Sequence, residues 1–151
     1  MAYPNQNYSR GSSFSASRPE PNRPVPPFPA DYVDFAEKLM GIQCKKITTS
    51  KLRNILSLLM DVYNTETLRT EETLCPESIT ALQLARIRIA YECGRDRNTK
   101  EFVEAANLLP WLKAVGSSRK KAIEYTHYLE AIVAYHRFFG GRRIKLCTQK
   151  W

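Results

Sequence analysis

Arg119 to Gly141 reads RKKAIEYTHYLEAIVAYHRFFGG, and this stretch decides the fold. On a helical wheel Tyr125, Tyr128, Leu129, Ile132, Tyr135, His136 and Phe139 fall within roughly a third of the circumference, the spacing of a core-facing helix. The other side carries Ala131, Ala134 and Phe138, two of them small enough to admit a close neighbour. A helix apolar over most of its surface needs partners on more than one side. The stretch therefore reads as the central post of an all-α domain. Ser118 is its expected N-cap after the Gly116-Ser117-Ser118 turn, and Gly140 is its stop, because glycine tolerates the left-handed conformation after a helix. Glu130, Arg137 and Arg119 share an outward strip.

Upstream of the post, Phe102, Ala105, Ala106 and Leu109 make an apolar face, with Asn98 and Glu101 in the pattern of a capping box. Pro110 is expected to break or kink that helix, and Trp111, Leu112 and Val115 continue as a short second piece. Further back, Pro76 suits a first helical turn and opens ESITALQLARIRIAYEC. Its centre, LQLARIRIAY, alternates as a strand would, but length, the proline start and Gly94 favour a helix. A partly buried Arg86 in it needs a carboxylate or carbonyl partner. Gly94-Arg95-Asp96-Arg97 reads as a turn.

Thr65 to Thr73 is polar, acidic and without periodicity, hence a loop. Before it, Leu52, Ile55, Leu56, Leu59, Val62 and Tyr63 form an amphipathic face capped by Thr48, with Ile47 and Leu52 at the positions of a hydrophobic staple. Asp31 is the expected cap of a shorter helix carrying Tyr32, Phe35, Ala36 and Leu39, with Gly41 as its stop. Residues 1–29 hold seven of the nine prolines and read as a disordered Pro/Ser-rich arm. In that arm Tyr3, Tyr8 and Phe14 lie near Arg10 and Arg18, a pattern able to stack on single-stranded bases. The expected organisation is thus an arm (1–29), a bundle of about five helices (30–141) and a basic tail (142–151).

The 151 residues are 43% hydrophobic, and no apolar run approaches the roughly 18 residues of a membrane span. No basic stretch followed by an apolar one opens the chain, so no secretory signal is expected and the expected compartment is cytoplasmic. Cys44, Cys75, Cys93 and Cys147 are too scattered for a paired metal motif and read as free thiols.

Charge is lopsided. Residues 1–111 hold 14 basic and 13 acidic side chains, whereas residues 112–151 hold 9 and 2. Such asymmetry points to a polyanionic partner, nucleic acid first. Lys45, Lys46, Lys51 and Arg53 surround one helix start, and Arg119, Lys120 and Lys121 another. Cations there oppose the helix dipole and make sense beside an external anion.

Groups for chemistry do not converge. There is no P-loop, dinucleotide fingerprint, HExxH or nucleophile elbow. His127 and His136 sit nine apart on one helix and cannot share a metal. No cofactor and no catalytic residue is expected. Sequence-reading RNA motifs are missing too, so the charge pattern suits backbone contact, which gives affinity without reading bases.

Three pieces then line up: KITTSKLRNIL (46–56), RIRIAYECGR (86–95) and YLEAIVAYHRFFGGR (128–142). In this order they resemble the small subunit of type III-A CRISPR effector complexes, the small Csm protein, across roughly residues 42–142. The resemblance implies a non-catalytic helical subunit. It would stack in several copies, head-to-tail, beside RNA-recognition-motif backbone subunits and the large subunit. It would grip guide RNA and target RNA without sequence preference. On matching positions it points to Lys51, Arg53, Arg95, Arg137 and Arg142. Arg97, Arg119, Lys120 and Lys121 rest on the charge argument. These cations are expected on one solvent-facing flank. A helix-turn-helix-like DNA-binding regulator and a helical protein-protein adaptor are the alternatives.

Overall fold

A computed structural model of the chain describes residues 25–140. The expectations placed on residues 1–24 and 141–151, Arg142 among them, lie outside the described residues. Six helices follow in order: α1 (Tyr32–Gln43), α2 (Thr49–Glu66), α3 (Pro76–Arg95), α4 (Arg97–Ala105), α5 (Leu108–Val115) and α6 (Arg119–Phe138). The expected all-α bundle is what forms, and the helix beyond the expected five comes from a full break at Asn107, where a break or kink at Pro110 was expected.

The post is α6. It packs against α1, α2 and α5, so it has neighbours on several sides as its all-round apolarity demands. Tyr125, Tyr128, Leu129, Ile132 and His136 are buried in it. Ser118 caps it by accepting from the Lys121 N–H at 3.4 Å, and Gly140 follows it at φ 72°. Burying two tyrosines requires partners for their hydroxyls. Tyr125 donates to the Leu108 carbonyl at 2.8 Å and Tyr128 to the Ala106 carbonyl at 3.0 Å. Those are carbonyls at the α4–α5 corner, where the helical ladder is interrupted. Burial pushes both phenols above their ordinary pKa.

Thr48 caps α2, its hydroxyl accepting from the Lys51 N–H at 3.3 Å, and Ile47 and Leu52 are both buried. Pro76 opens α3. Within α3 the inward residues are Leu82, Ala85 and Ile89, while Leu84, Ile87 and Tyr91 face solvent. That surplus of apolar residues on the outer face produced the strand-like alternation. Arg86 is half-buried and finds no carboxylate or carbonyl among the described residues.

Several boundaries differ from the sequence reading. Gly41 lies inside α1 and does not stop it; a Cβ there would sit 3.9 Å from the Phe139 ring, ordinary contact. Asp31 gives α1 no side-chain cap, only its carbonyl, which accepts from the Phe35 N–H. Gly94 does not stop α3. The break is Asp96, extended at φ −138°, which ends α3 and caps α4 by accepting from the Asn98 N–H at 3.0 Å. The Asn98–Glu101 capping box therefore does not form. Pro110 breaks nothing, since it sits in the first turn of α5, where its missing N–H has no intrahelical partner. The break falls at Asn107, in the left-handed region at φ 53°.

The last residues of the expected arm pack on the bundle. Trp111 Nε1 donates to the Pro26 carbonyl at 2.8 Å, and the Phe28 ring stands 5.3 Å from Trp111 and 5.7 Å from Tyr128, edge-on to both. Offset and edge-on aromatic pairs of this kind add specificity to plain burial.

Candidate nucleic-acid interface

Two sets of contacts orient the bundle and define its ends. At one end His136, in the last turn of α6, bonds to Ile47 just before α2, and Lys51 pairs with Asp96 at the α3–α4 junction. Lys46 pairs with Glu101 of α4 at 3.0 Å. At the other end Arg119, the first residue of α6, donates through Nε to the carbonyl of Glu66, the last residue of α2, at 2.6 Å. Thus α2 runs antiparallel to both α3 and α6. The starts of α2 and α4 share one end with the finishes of α3 and α6.

That geometry sorts the cations. By their places along the helices Lys51, Arg53, Arg95, Arg97 and Arg137 all lie toward the α2-start end. Lys45, Lys46 and Lys100 join them, against Glu92, Asp96 and Glu101. Arg119, Lys120 and Lys121 lie at the opposite end, about 27 Å away along α6 at a rise of about 1.5 Å per residue. The expected single flank is therefore two clusters. Arg142 follows directly on the first of them in sequence.

The two clusters differ in what holds them. In the first, the Lys51 ammonium contacts the Asp96 carboxylate and lies 3.2 Å from the Thr99 hydroxyl. Contact with that ammonium and with the Thr99 hydroxyl holds the Asp96 carboxyl down at about pKa 2. The Lys46 ammonium, and Arg97 behind it, likewise keep the Glu101 carboxyl below its ordinary range. Arg97 is 91% exposed and only 3.5 Å from Glu101, so it stays available to solvent. Arg95 lies 3.7 Å from Glu92 and over the exposed Tyr91 ring at 5.6 Å. Arg53 and Arg137 are exposed and make no ion pair with a described residue. Two helix N-termini, of α2 and α4, open at this end and add partial positive charge.

In the second cluster Arg119 is half-buried and belongs to a structural knot. Its centre is Glu66, fully buried and unpredicted. The Glu66 carboxylate accepts from Arg69 at 2.9 Å and from the Cys75 N–H at 3.1 Å. Burial alone would raise its pKa. Hydrogen bonds from Ser78, Cys75 and Arg69 outweigh that and bring it down to about 2. Leu74 N–H and Arg119 N–H bond to the carbonyls of Ser117 and Glu72, closing a single β-bridge between Thr73 and Ser118. Lys120 and Lys121 remain exposed, with acidic Glu71 and Glu72 nearby in this knot.

Sequence reading missed Lys100, exposed in the first turn of α4 at the basic end. Recognising Asp96 as the cap would have placed it. Glu66 was hidden by its polar surroundings. His127 and Glu130 pair at 3.2 Å, and no group of three metal-binding side chains exists among the described residues. No described helix is long and apolar enough to cross a membrane.

Similarity to known proteins agrees with the resemblance. The family model "Csm2 Type III-A" matches residues 29–142. A "CRISPR system Cms protein Csm2" from Mycobacterium tuberculosis is 34% identical over 116 residues, covering 74% of this chain and 94% of the relative. Proteins of the same description from Streptococcus thermophilus (32% over 118 residues, 74% and 93% covered) and Enterococcus italicus (33% over 96 residues, 62% and 68% covered) also match. With its helical architecture, the chain belongs to the Csm2 type III-A family, the small Csm subunits of type III-A CRISPR complexes.

Proposed function

We propose that this subunit is non-catalytic and grips the guide RNA–target RNA duplex through its sugar-phosphate backbone, without reading sequence. The observation that carries the reading is the cationic end. There Arg53, Arg97, Lys100 and Arg137 project from rigid helix termini beside two helix N-termini. Phosphates and 2′-hydroxyls are what an A-form duplex offers such a surface. In a guided complex base pairing does the choosing, and protein needs only duplex geometry.

In this reading several copies stack head-to-tail in the cytoplasm beside the backbone and large subunits. The exposed stripe Leu84, Ile87 and Tyr91 on α3 suits contact with a neighbouring subunit. Of the net +8, residues 25–140 carry only +2, so the flanking segments hold most of the excess and are expected to add to the grip.

The test is a titration of guide–target RNA duplex into the protein across salt concentrations. Displacement of counterions makes log K fall linearly with log salt, in proportion to phosphates contacted. A binding constant flat against salt contradicts the reading.

A further inference from the structure

The end of α6 carries a cluster of three aromatic rings. Phe138 stands 6.2 Å from Tyr135 and 5.2 Å from Phe139, edge-on to both, and Tyr135 and Phe139 stack at 6.3 Å. The three are not used alike. Tyr135 packs against the core, and Phe139 lies over Gly41 of α1. Phe138 is no part of the core and is 76% exposed, so most of its ring meets solvent.

We propose that Phe138 is a stacking platform for an unpaired RNA base, with Arg137 beside it taking that nucleotide's phosphate. This rests on the RNA reading above and adds a ligand to it. The ligand is an unpaired nucleotide, either in a single strand running off the duplex or bulged out of it. Stacking on a π-face is indifferent to base identity, so it adds affinity without sequence choice.

The surroundings of the ring select a nucleic acid as its occupant. Arg137 is exposed in the same turn and makes no ion pair with a described residue. Arg53 and the starts of α2 and α4 lie toward this end, which makes it attractive to phosphate. Ala134, four positions before Phe138 on the same side of α6, is exposed and too small to cover the ring. No described cation lies over Phe138 either, whereas Tyr91, the exposed ring of α3, is already covered by Arg95 at 5.6 Å. Contact with Tyr135 and Phe139 holds the Phe138 ring in place, so little side-chain freedom is lost when a base lands on it.

The test uses the full-length chain and three RNA probes: a blunt duplex, the same duplex with a single-stranded overhang, and the same duplex with one bulged nucleotide. The unpaired positions carry iodouridine, which crosslinks to aromatic side chains under ultraviolet light. At least one probe with an unpaired base is expected to bind more tightly than the blunt duplex and to crosslink at Phe138, and which one does so identifies the source of the base. Phe138→Leu keeps apolar bulk and loses the π-face, and it is expected to weaken that probe alone by about tenfold. Phe138→Tyr is expected to restore the affinity. Equal, salt-dependent affinities for all three probes overturn the proposal and leave the duplex grip standing, whereas no binding of any probe overturns both. Unchanged affinity of Phe138→Leu for the unpaired probes overturns it as well. If that variant also self-associates less, the ring serves a second copy of the chain.

Discussion

His136 Nε2 donates a hydrogen bond to the Ile47 carbonyl across 2.8 Å, joining residues 89 positions apart that are each 1% exposed. A carbonyl can only accept, so this contact fixes the proton on Nε2. It ties the last turn of the post to the entry of α2 and thereby sets where the cations of both helix ends sit. Changing His136→Phe keeps the ring and leaves the Ile47 oxygen buried without a partner. The expected cost is about 1–3 kcal/mol, read as a lower urea midpoint. An unchanged midpoint contradicts the assignment.

The knot at the opposite end predicts an acid response. Glu66 has a folded pKa of about 2, below its ordinary 4.5. A depressed carboxyl contributes stability that is complete above the unfolded value and drains away as pH falls toward the folded one. The protein is therefore expected to lose on the order of 2–3 kcal/mol from Glu66 between about pH 5 and pH 2. Glu66→Gln should be less stable at pH 7 and flatter across that window, with a remainder from Asp96 and Glu101. Urea melts at pH 7, 5 and 3 measure it. Parallel pH profiles for the two proteins would remove Glu66 from the account.

Asn107 sits at φ 53° and ψ 34°, where side chains with a Cβ are strained and asparagine is tolerated. Asn107→Ala is expected to cost about 1 kcal/mol and Asn107→Gly to be close to neutral. Thermal melts of the two variants should separate. If they coincide, the corner between α4 and α5 is not held in this conformation.

Ile132 is fully buried at the middle of the post. Ile132→Asp places an unpaired charge there, a change expected to cost more than about 4 kcal/mol and to unfold the domain. A cooperative melt at the wild-type temperature would mean that another face of α6 forms the core.

Most of the bundle was legible because its signals are local. Thr48, Pro76, Ser118 and Gly140 each work through their own turn of backbone, and the stripe of α6 needs only its own periodicity. What escaped depends on residues far apart in the chain. Asp96 outcompeted Asn98 as a cap, and its carboxylate is also held by Lys51 from α2. Pro110 looked like a breaker because a proline early in a helix and one inside it read alike until Asn107 supplies the start. Glu66 lay in a run of polar residues and became the buried pin through Arg69, Cys75 and Ser78, which no periodicity announces. For the candidate site, the cations could be named from the sequence, but which end of the bundle each lies toward could not. Arg119 and Arg137 lie on one side of one helix by spacing, yet stand at its opposite ends, Arg119 bonded to the Glu66 carbonyl and Arg137 exposed.

That division gives the central claim its sharpest measurement. Arg53→Gln/Arg137→Gln removes two charges from the α2-start end, and Lys120→Gln/Lys121→Gln removes two from the other. Binding of guide–target RNA duplex is measured for both against salt. The first pair is expected to weaken binding about tenfold or more and to reduce the salt slope by about 2, with the second pair near wild type. Equal losses from the two pairs, or a larger loss from Lys120 and Lys121, would contradict the placement of the RNA grip.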